Sequence, residues 1–387
     1  MATALGTDIL FDKGLLKGRR VGLVCNPASV DAAFRHVTDR AVSGGVTVAA
    51  LFGPQHGIRS DVQENMIETP HGRDSERRVP VYSLYSETRE PTDEMLAGLD
   101  ALVIDLQDVG TRIYTYIYTM AYCLKAAART GVPVIVCDRP NPIGGVAVEG
   151  PMLEKGYESF VGLYPLPMRH GMTIGELARM FNAHFGLGAK LEVIPMQGWS
   201  RDMYFEETGL PFVLPSPNIP TVEAEVVYPG TVLFEGMNVS EGRGTTKPFE
   251  LLAAPWVKHP EAFVRGLNAL GLPGVVFRPH SFEPTFHKHA TVLCGGCQIH
   301  VTDRSAFRAV ETGVAATIAF RDANPESFAW REPPYEYEYN LLPIDILFGS
   351  DGLRTGMDAG DSARVIAERW TEPVREFEKL RSEFLLY

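Results

Sequence analysis

The chain has 387 residues, 45% hydrophobic and 22% charged, with a net charge of −12. This length fits two domains better than one small one and leaves room for a large core without a metal or disulfide staple. The acidic balance argues against nucleic acid and anionic membrane surfaces as partners, because both call for clustered basic residues.

No window approaches the roughly 20 apolar residues of a membrane span. The N-terminus lacks the basic and long apolar regions of a secretory leader, so the sequence reads as cytoplasmic. The five cysteines are an odd number for a disulfide framework. Cys25, Cys123 and Cys137 sit among apolar neighbours as buried thiols. Cys294-Gly-Gly-Cys297 has redox or zinc spacing but lacks a second pair, and reads as the start of a strand with two small thiols. No metal or cofactor is expected, and homo-oligomerisation stays open.

The first third alternates strand and helix. Apolar runs at 20–25, 46–52, 79–84, 100–106 and 132–137 read as strands. Helices are expected over 31–42 and 114–129. This pattern points to a Rossmann-like, doubly wound parallel sheet over residues 1–165. Thr173, with Glu176 three residues on, marks a capping box that opens a helix to Phe185. A strand is expected at 191–195. A proline-rich stretch follows (Pro211, Pro215, Pro217, Pro220, Pro229) and runs to the loop Val239–Glu250. Helices are expected over 260–270, 305–320 and 361–384, with strands near 275 and at 297–301. Residues 166–387 thus read as an α+β domain whose loops over 215–250 face the first.

Ligands of doubly wound sheets bind beyond the carboxyl ends of the strands. Here those ends read Asn26-Pro27, Gly53-Pro54-Gln55-His56-Gly57, Asp105-Leu106-Gln107-Asp108 and Asp138-Arg139-Pro140-Asn141, all polar and rich in Pro or Gly. They are expected to converge on one cleft. The loop Val239–Glu250 is too polar for a core and too rich in Gly and Pro for a helix, so it is a second candidate wall. No G-x-G-x-x-G, Walker A or G-x-S-x-G motif appears.

What remains is carboxylate chemistry. Asp105 and Asp108 flank Gln107, and Glu235 and Glu241 flank Asn238. Tyr114, Tyr116 and Tyr118 alternate nearby, and His56 stands at a strand end. Carboxylates with amides, cations and aromatic faces suit sugars, and two carboxylates across a cleft can cleave a glycosidic bond. Arg139, Asn141, Asn218, Asn238, Gln55 and Tyr116 are the candidate binding groups.

The ordered motifs LFGPQHG (51–57), DLQDVGTRIYTYIYTM (105–120), DRPNPIGG (138–145), RHGMTIGELA (169–178), PSPNIPT (215–221) and YPGTVLFEGMNVSEGRGTTKPFE (228–250) resemble the DUF1343 family. Its members are exo-β-N-acetylmuramidases of the NamZ type, glycoside hydrolase family 171. The resemblance implies a Rossmann-like N-terminal domain, an α+β C-terminal domain and an active site between them. It also implies release of terminal N-acetylmuramic acid from the non-reducing ends of peptidoglycan fragments. On that basis Glu241 or Glu235 is the candidate acid, and Asp105 or Asp108 the electrostatic support. Arg243 and Lys247 would then pair with the lactyl carboxylate of the substrate.

One departure stands out. The family pattern carries a glutamate where this chain has Gln55, which cannot exchange a proton as a carboxyl group does. The missing carboxylate must then come from elsewhere (Asp61, Glu64, Asp105 or Glu241). Otherwise the chain takes a different amino-sugar glycoside, or binds a muropeptide without turnover. A third reading, a nucleotide or nucleotide-sugar enzyme, lacks its phosphate loop.

Overall fold

The computed structural model describes residues 3–64 and 66–387. Among these, seven strands form the main sheet: β1 (Arg20–Val24), β2 (Thr47–Gly53), β3 (Gly72–Arg73), β4 (Pro80–Ser83), β5 (Ala101–Ile104), β6 (Val134–Cys137) and, after an antiparallel pair β7 (Glu149–Met152) and β8 (Pro167–Arg169), β9 (Leu191–Ile194). The order is β3-β4-β2-β1-β5-β6-β9, and every neighbouring pair is parallel except β3–β4. The central strands β5 and β6, ALVI and VIVC, are wholly buried, as unbroken apolar runs in a sheet covered on both faces should be.

The helices are α1 (Gly6–Asp12), α2 (Val37–Ser43), α3 (Asp93–Leu96), α4 (Tyr116–Thr130), α5 (Ile174–Ala183), α6 (Val222–Thr231), α7 (Pro260–Ala269), α8 (Ala309–Ala323), α9 (Pro343–Phe348), α10 (Gly352–Asp358), α11 (Ala363–Glu368) and α12 (Thr371–Arg381). A second, antiparallel sheet has the order β10 (Leu251–Ala254), β12 (Cys294–Val301), β11 (Val275–Phe282). Cys294 and Cys297 lie in β12 as buried free thiols. No helix among the described residues is long and apolar enough to cross a membrane.

Several elements depart from the sequence reading. The strand at 191–194 extends the main sheet beside β6 instead of joining the C-terminal sheet, because α5 returns the chain as a crossover between parallel strands. Residues 31–36 do not continue α2. The Asp31 carboxylate accepts from the backbone N–H groups of Ala33 and Arg35 and holds a turn there. The closing helix is broken into α11 and α12. Helix α6 runs through Pro229 in a stretch expected to be loop. Thr221 caps its start, and Gly230 lets it cross α8 at Gly313. A methyl group on Gly230 would sit 1.9 Å from the Ala309 carbonyl oxygen. Packing that close outweighs the proline penalty.

From β1 the chain runs outward to β2 and β4, then returns to the other side of β1 as β5. The order therefore reverses between β1 and β5, the place where doubly wound sheets bind ligands.

Candidate active site

At this switch point Asn26, just past β1, donates its side-chain amide to the Tyr116 hydroxyl at 3.0 Å and to the Pro215 carbonyl at 2.8 Å. Tyr116, the first residue of α4, also donates to Pro215 at 2.8 Å. The strand end and the loop over 215–219 are thereby locked together. Past β2, Gln55 is buried and His56 turns with a φ of +69°. The His56 Nδ1 lies 2.7 Å from the Val62 carbonyl, which can only accept, so Nδ1 carries the hydrogen and Nε2 is left as an acceptor. Burial pushes the His56 pKa down to about 4, so the ring is neutral near pH 7.

The opposite wall comes from later in the chain. Tyr228 stands on α6, and Glu235 on the 3₁₀ turn Val232–Gly236 that continues it. Arg243 and Phe249 come from the polar loop, and Tyr335 and Glu336 from a tight turn. In that turn the Tyr335 N–H donates to the Glu338 carbonyl and the Glu338 N–H to that of Tyr335, each at 2.9 Å. Both central residues are left-handed, with φ of +45° at Glu336 and +68° at Tyr337. This is the backbone of a two-residue hairpin turn, here built without glycine and so strained by about 1–3 kcal/mol per residue.

These residues line one cleft with Ile113, Thr115, Ser216 and Asn218. Its volume is about 470 Å³ counting the open mouth, and about 40 Å³ once the layer within a water radius of the walls is set aside. It is a narrow slot with aromatic sides. Tyr114 and Tyr116 meet with ring centroids 4.7 Å apart, as do Tyr228 and Phe249.

Two carboxyl groups share this slot under different conditions. Glu235 accepts from Arg243 Nη2 at 2.8 Å and from the Tyr335 hydroxyl at 2.7 Å. Glu336 accepts from Gln55 Nε2 at 3.1 Å and from the Tyr85 hydroxyl at 2.8 Å. Burial raises the Glu336 pKa to about 7; the Tyr85 and Gln55 hydrogen bonds oppose the rise, and the charge of Glu235 adds to it. A carboxyl group that titrates near neutrality beside a second one held by arginine is the arrangement that acid–base chemistry on a glycosidic bond uses.

Of the residues anticipated from sequence, Gln55, His56, Tyr116, Asn218, Glu235 and Arg243 line the slot. Glu241 lies one layer behind. It takes Arg243 Nη1 and Lys288 Nζ at 2.7 Å each, with His287 Nδ1 at 3.4 Å. Burial alone would raise its pKa, but Lys288, Arg243 and His287 hold it well below the usual carboxylate range. Asp105 is clamped in the core by Arg139 at 2.5 and 2.9 Å. Asp108 accepts from the Gly110 N–H at 2.9 Å, with His170 Nε2 at 3.3 Å. Asn141 donates to the Met172 carbonyl and Asn238 to that of Ser327. Lys247 pairs with Glu250 at 2.7 Å. The structure brings none of Asp105, Asp108, Arg139, Asn141, Asn238 and Lys247 into the slot. Their polarity serves to tie strand ends and loops together. Arg243 donates from one terminal nitrogen to Glu241 and from the other to Glu235.

Comparison with known proteins places this architecture. A family model described as the N-terminal part of exo-beta-N-acetylmuramidase NamZ matches residues 21–223, and its C-terminal counterpart matches 226–387. The chain belongs to the NamZ family. It is 49% identical over 385 residues to the peptidoglycan beta-N-acetylmuramidase NamZ of Bacillus subtilis (strain 168), a match covering 99% of this chain and 91% of that protein. Two crystal structures of DUF1343 family proteins from Bacteroides fragilis NCTC 9343 superpose on it. One is 35% identical with a TM-score of 0.91, the other 27% identical with 0.78; each match covers 100% of this chain and 99% of the other. The slot draws on both NamZ parts: Gln55, His56 and Tyr116 from the first, Glu235, Arg243 and Glu336 from the second.

Glu336 is the main residue that sequence reasoning missed, together with its donor Tyr85 and with Thr115, which holds Gln55. Its neighbourhood, Pro333-Pro334-Tyr335-Glu336-Tyr337-Glu338-Tyr339, alternates acids and aromatics after two prolines, as Tyr114, Tyr116 and Tyr118 alternate elsewhere. That composition was the available signal.

Proposed function

We propose that this chain is an exo-β-N-acetylmuramidase, with Glu336 as its general acid and Glu235 as the carboxylate that faces the reacting carbon. It hydrolyses the bond to a terminal N-acetylmuramic acid at the non-reducing ends of peptidoglycan fragments. The observation that carries the residue assignment is the pairing of Glu336, raised to about 7, with Glu235 on Arg243, in one narrow slot. The tyrosine faces offer the sugar ring an apolar wall.

In this reading Glu336 gives its proton to the glycosidic oxygen as the bond to C1 breaks. Glu235 stabilises the positive charge that develops at C1. Water then adds to C1, and the proton it sheds returns the pair to its starting state. Gln55 stands where the family pattern has a carboxylate, and the carboxyl it lacks is supplied by the partner of its own amide, Glu336. Kinetics of Glu336→Gln and Glu235→Gln on a chromogenic N-acetylmuramic acid glycoside test the assignment. Both should lose activity by about 10²–10⁴-fold; wild-type turnover by either removes that residue from the mechanism.

A further inference from the structure

Gln55 is 6% exposed and sits between two groups that fix its amide. Its Oε1 accepts from Thr115 Oγ1 at 2.8 Å while its Nε2 donates to Glu336 Oε1 at 3.1 Å. The reversed amide would turn an oxygen onto a carboxylate oxygen, which can only accept when ionised. Both anchors of this bridge are rigid. Gln55 follows the buried strand β2, and Thr115 immediately precedes α4. Glu336, by contrast, projects from a two-residue turn, and its side-chain orientation depends on what it meets across the slot.

We propose that Gln55 is the positioning residue of the acid: clamped by Thr115, it orients the Glu336 carboxyl and confines the mobile proton to Oε2, the oxygen shared with Tyr85. This rests on Glu336 being the general acid. Because the Nε2–H group can only donate, Glu336 Oε1 accepts in both protonation states, and the proton is left to Oε2. The other titratable or charged groups around this carboxyl are Tyr85 and Arg89 from the segment after β4, Tyr228 on α6, Glu235 from the turn after it, and Tyr335 and Tyr337 on either side. None of them donates to Oε1. A carboxylate at position 55 would instead share one proton with Glu336, and the pair would titrate in two well-separated steps.

The test is a set of pH–rate profiles for the wild type, Gln55→Glu, Gln55→Met and Glu336→Gln on a chromogenic N-acetylmuramic acid glycoside. Gln55→Glu should move the alkaline limb of kcat upward by about one pH unit or more. Gln55→Met keeps the volume but removes the donor. Its kcat should fall by about 10–100-fold with little change in KM, and its alkaline limb should also move up, because a bond favouring the ionised acid is gone. Limbs that stay in place in both variants, or losses confined to KM or to the melting temperature, overturn the positioning role. Full activity in Glu336→Gln instead overturns the underlying reading of the acid. An inactive Glu336→Gln with unmoved limbs in the Gln55 variants overturns the Gln55 assignment alone.

Discussion

The loop Val239–Glu250 and the turn Tyr335–Glu338 border the same slot with opposite electrostatics. In the loop each buried charge has counter-charges: Glu241 has Arg243 and Lys288, while Arg243 has Glu235 and Glu241. At the turn, Glu336 forms no ion pair among the described residues and is met by a neutral amide and a phenol. Fully paired charges hold geometry because moving a proton among them is costly. A buried carboxyl with neutral donors titrates near pH 7 and can exchange its proton during catalysis. Under the proposed function, the contrast separates residues that build the wall from those that do chemistry on it.

Four experiments would break or sharpen this contrast. The largest effect is expected from Glu336→Gln, which should cut kcat by about 10²–10⁴-fold without lowering the melting temperature, since an amide is easier to bury than a carboxyl. A variant that melts early would make Glu336 a structural group. Arg243→Ala should do the reverse first. It leaves two buried carboxylates short of a partner and should lower the unfolding free energy by about 3–5 kcal/mol in denaturant titrations. A change within 1 kcal/mol would mean that the loop charges are not mutually dependent.

The third experiment is a pH series. The acid must be protonated to act, so activity should fall as pH rises through about 7. Its folded-state pKa lies above its ordinary value of 4.5, so burial of this group is tolerated below pH 4.5 and becomes destabilising between 4.5 and 7. The stability advantage of Glu336→Gln over wild type should therefore grow across that window; a constant difference would deny the raised pKa. The smallest effect is expected from Lys247→Ala. That side chain is 42% exposed and paired with Glu250, so stability should change by less than about 1 kcal/mol and turnover should stay near wild type. A large loss of turnover would return Lys247 to the substrate.

Much of the fold was legible from short-range pattern. Apolar runs such as VIVC mark buried parallel strands because they must be apolar on both faces. The Thr173–Glu176 capping box marked the start of α5 because both halves of that bond lie within one turn of helix. The helix through Pro229 was hidden because it is held by contact with α8, some eighty residues later in the chain. Polar strand ends led to Gln55 and His56, which line the slot, and also to Asp105 and Asn141, whose side chains turn inward to Arg139 and the Met172 carbonyl. Residue type and position on a strand do not say which way a side chain turns.

The sequence by itself determined the family, the alternating architecture and the stock of carboxylates, amides and tyrosines, because these follow from motif order and local periodicity. Tertiary structure alone decided which carboxylates share the slot. Glu336 lies 281 positions from Gln55 and 101 from Glu235 in the chain, and its raised pKa comes from burial against residues that no local window contains. Charge pairing has the same origin. Glu241 and Glu336 are the same residue type, and the environment built around each makes one a fixed counter-ion and the other a candidate acid.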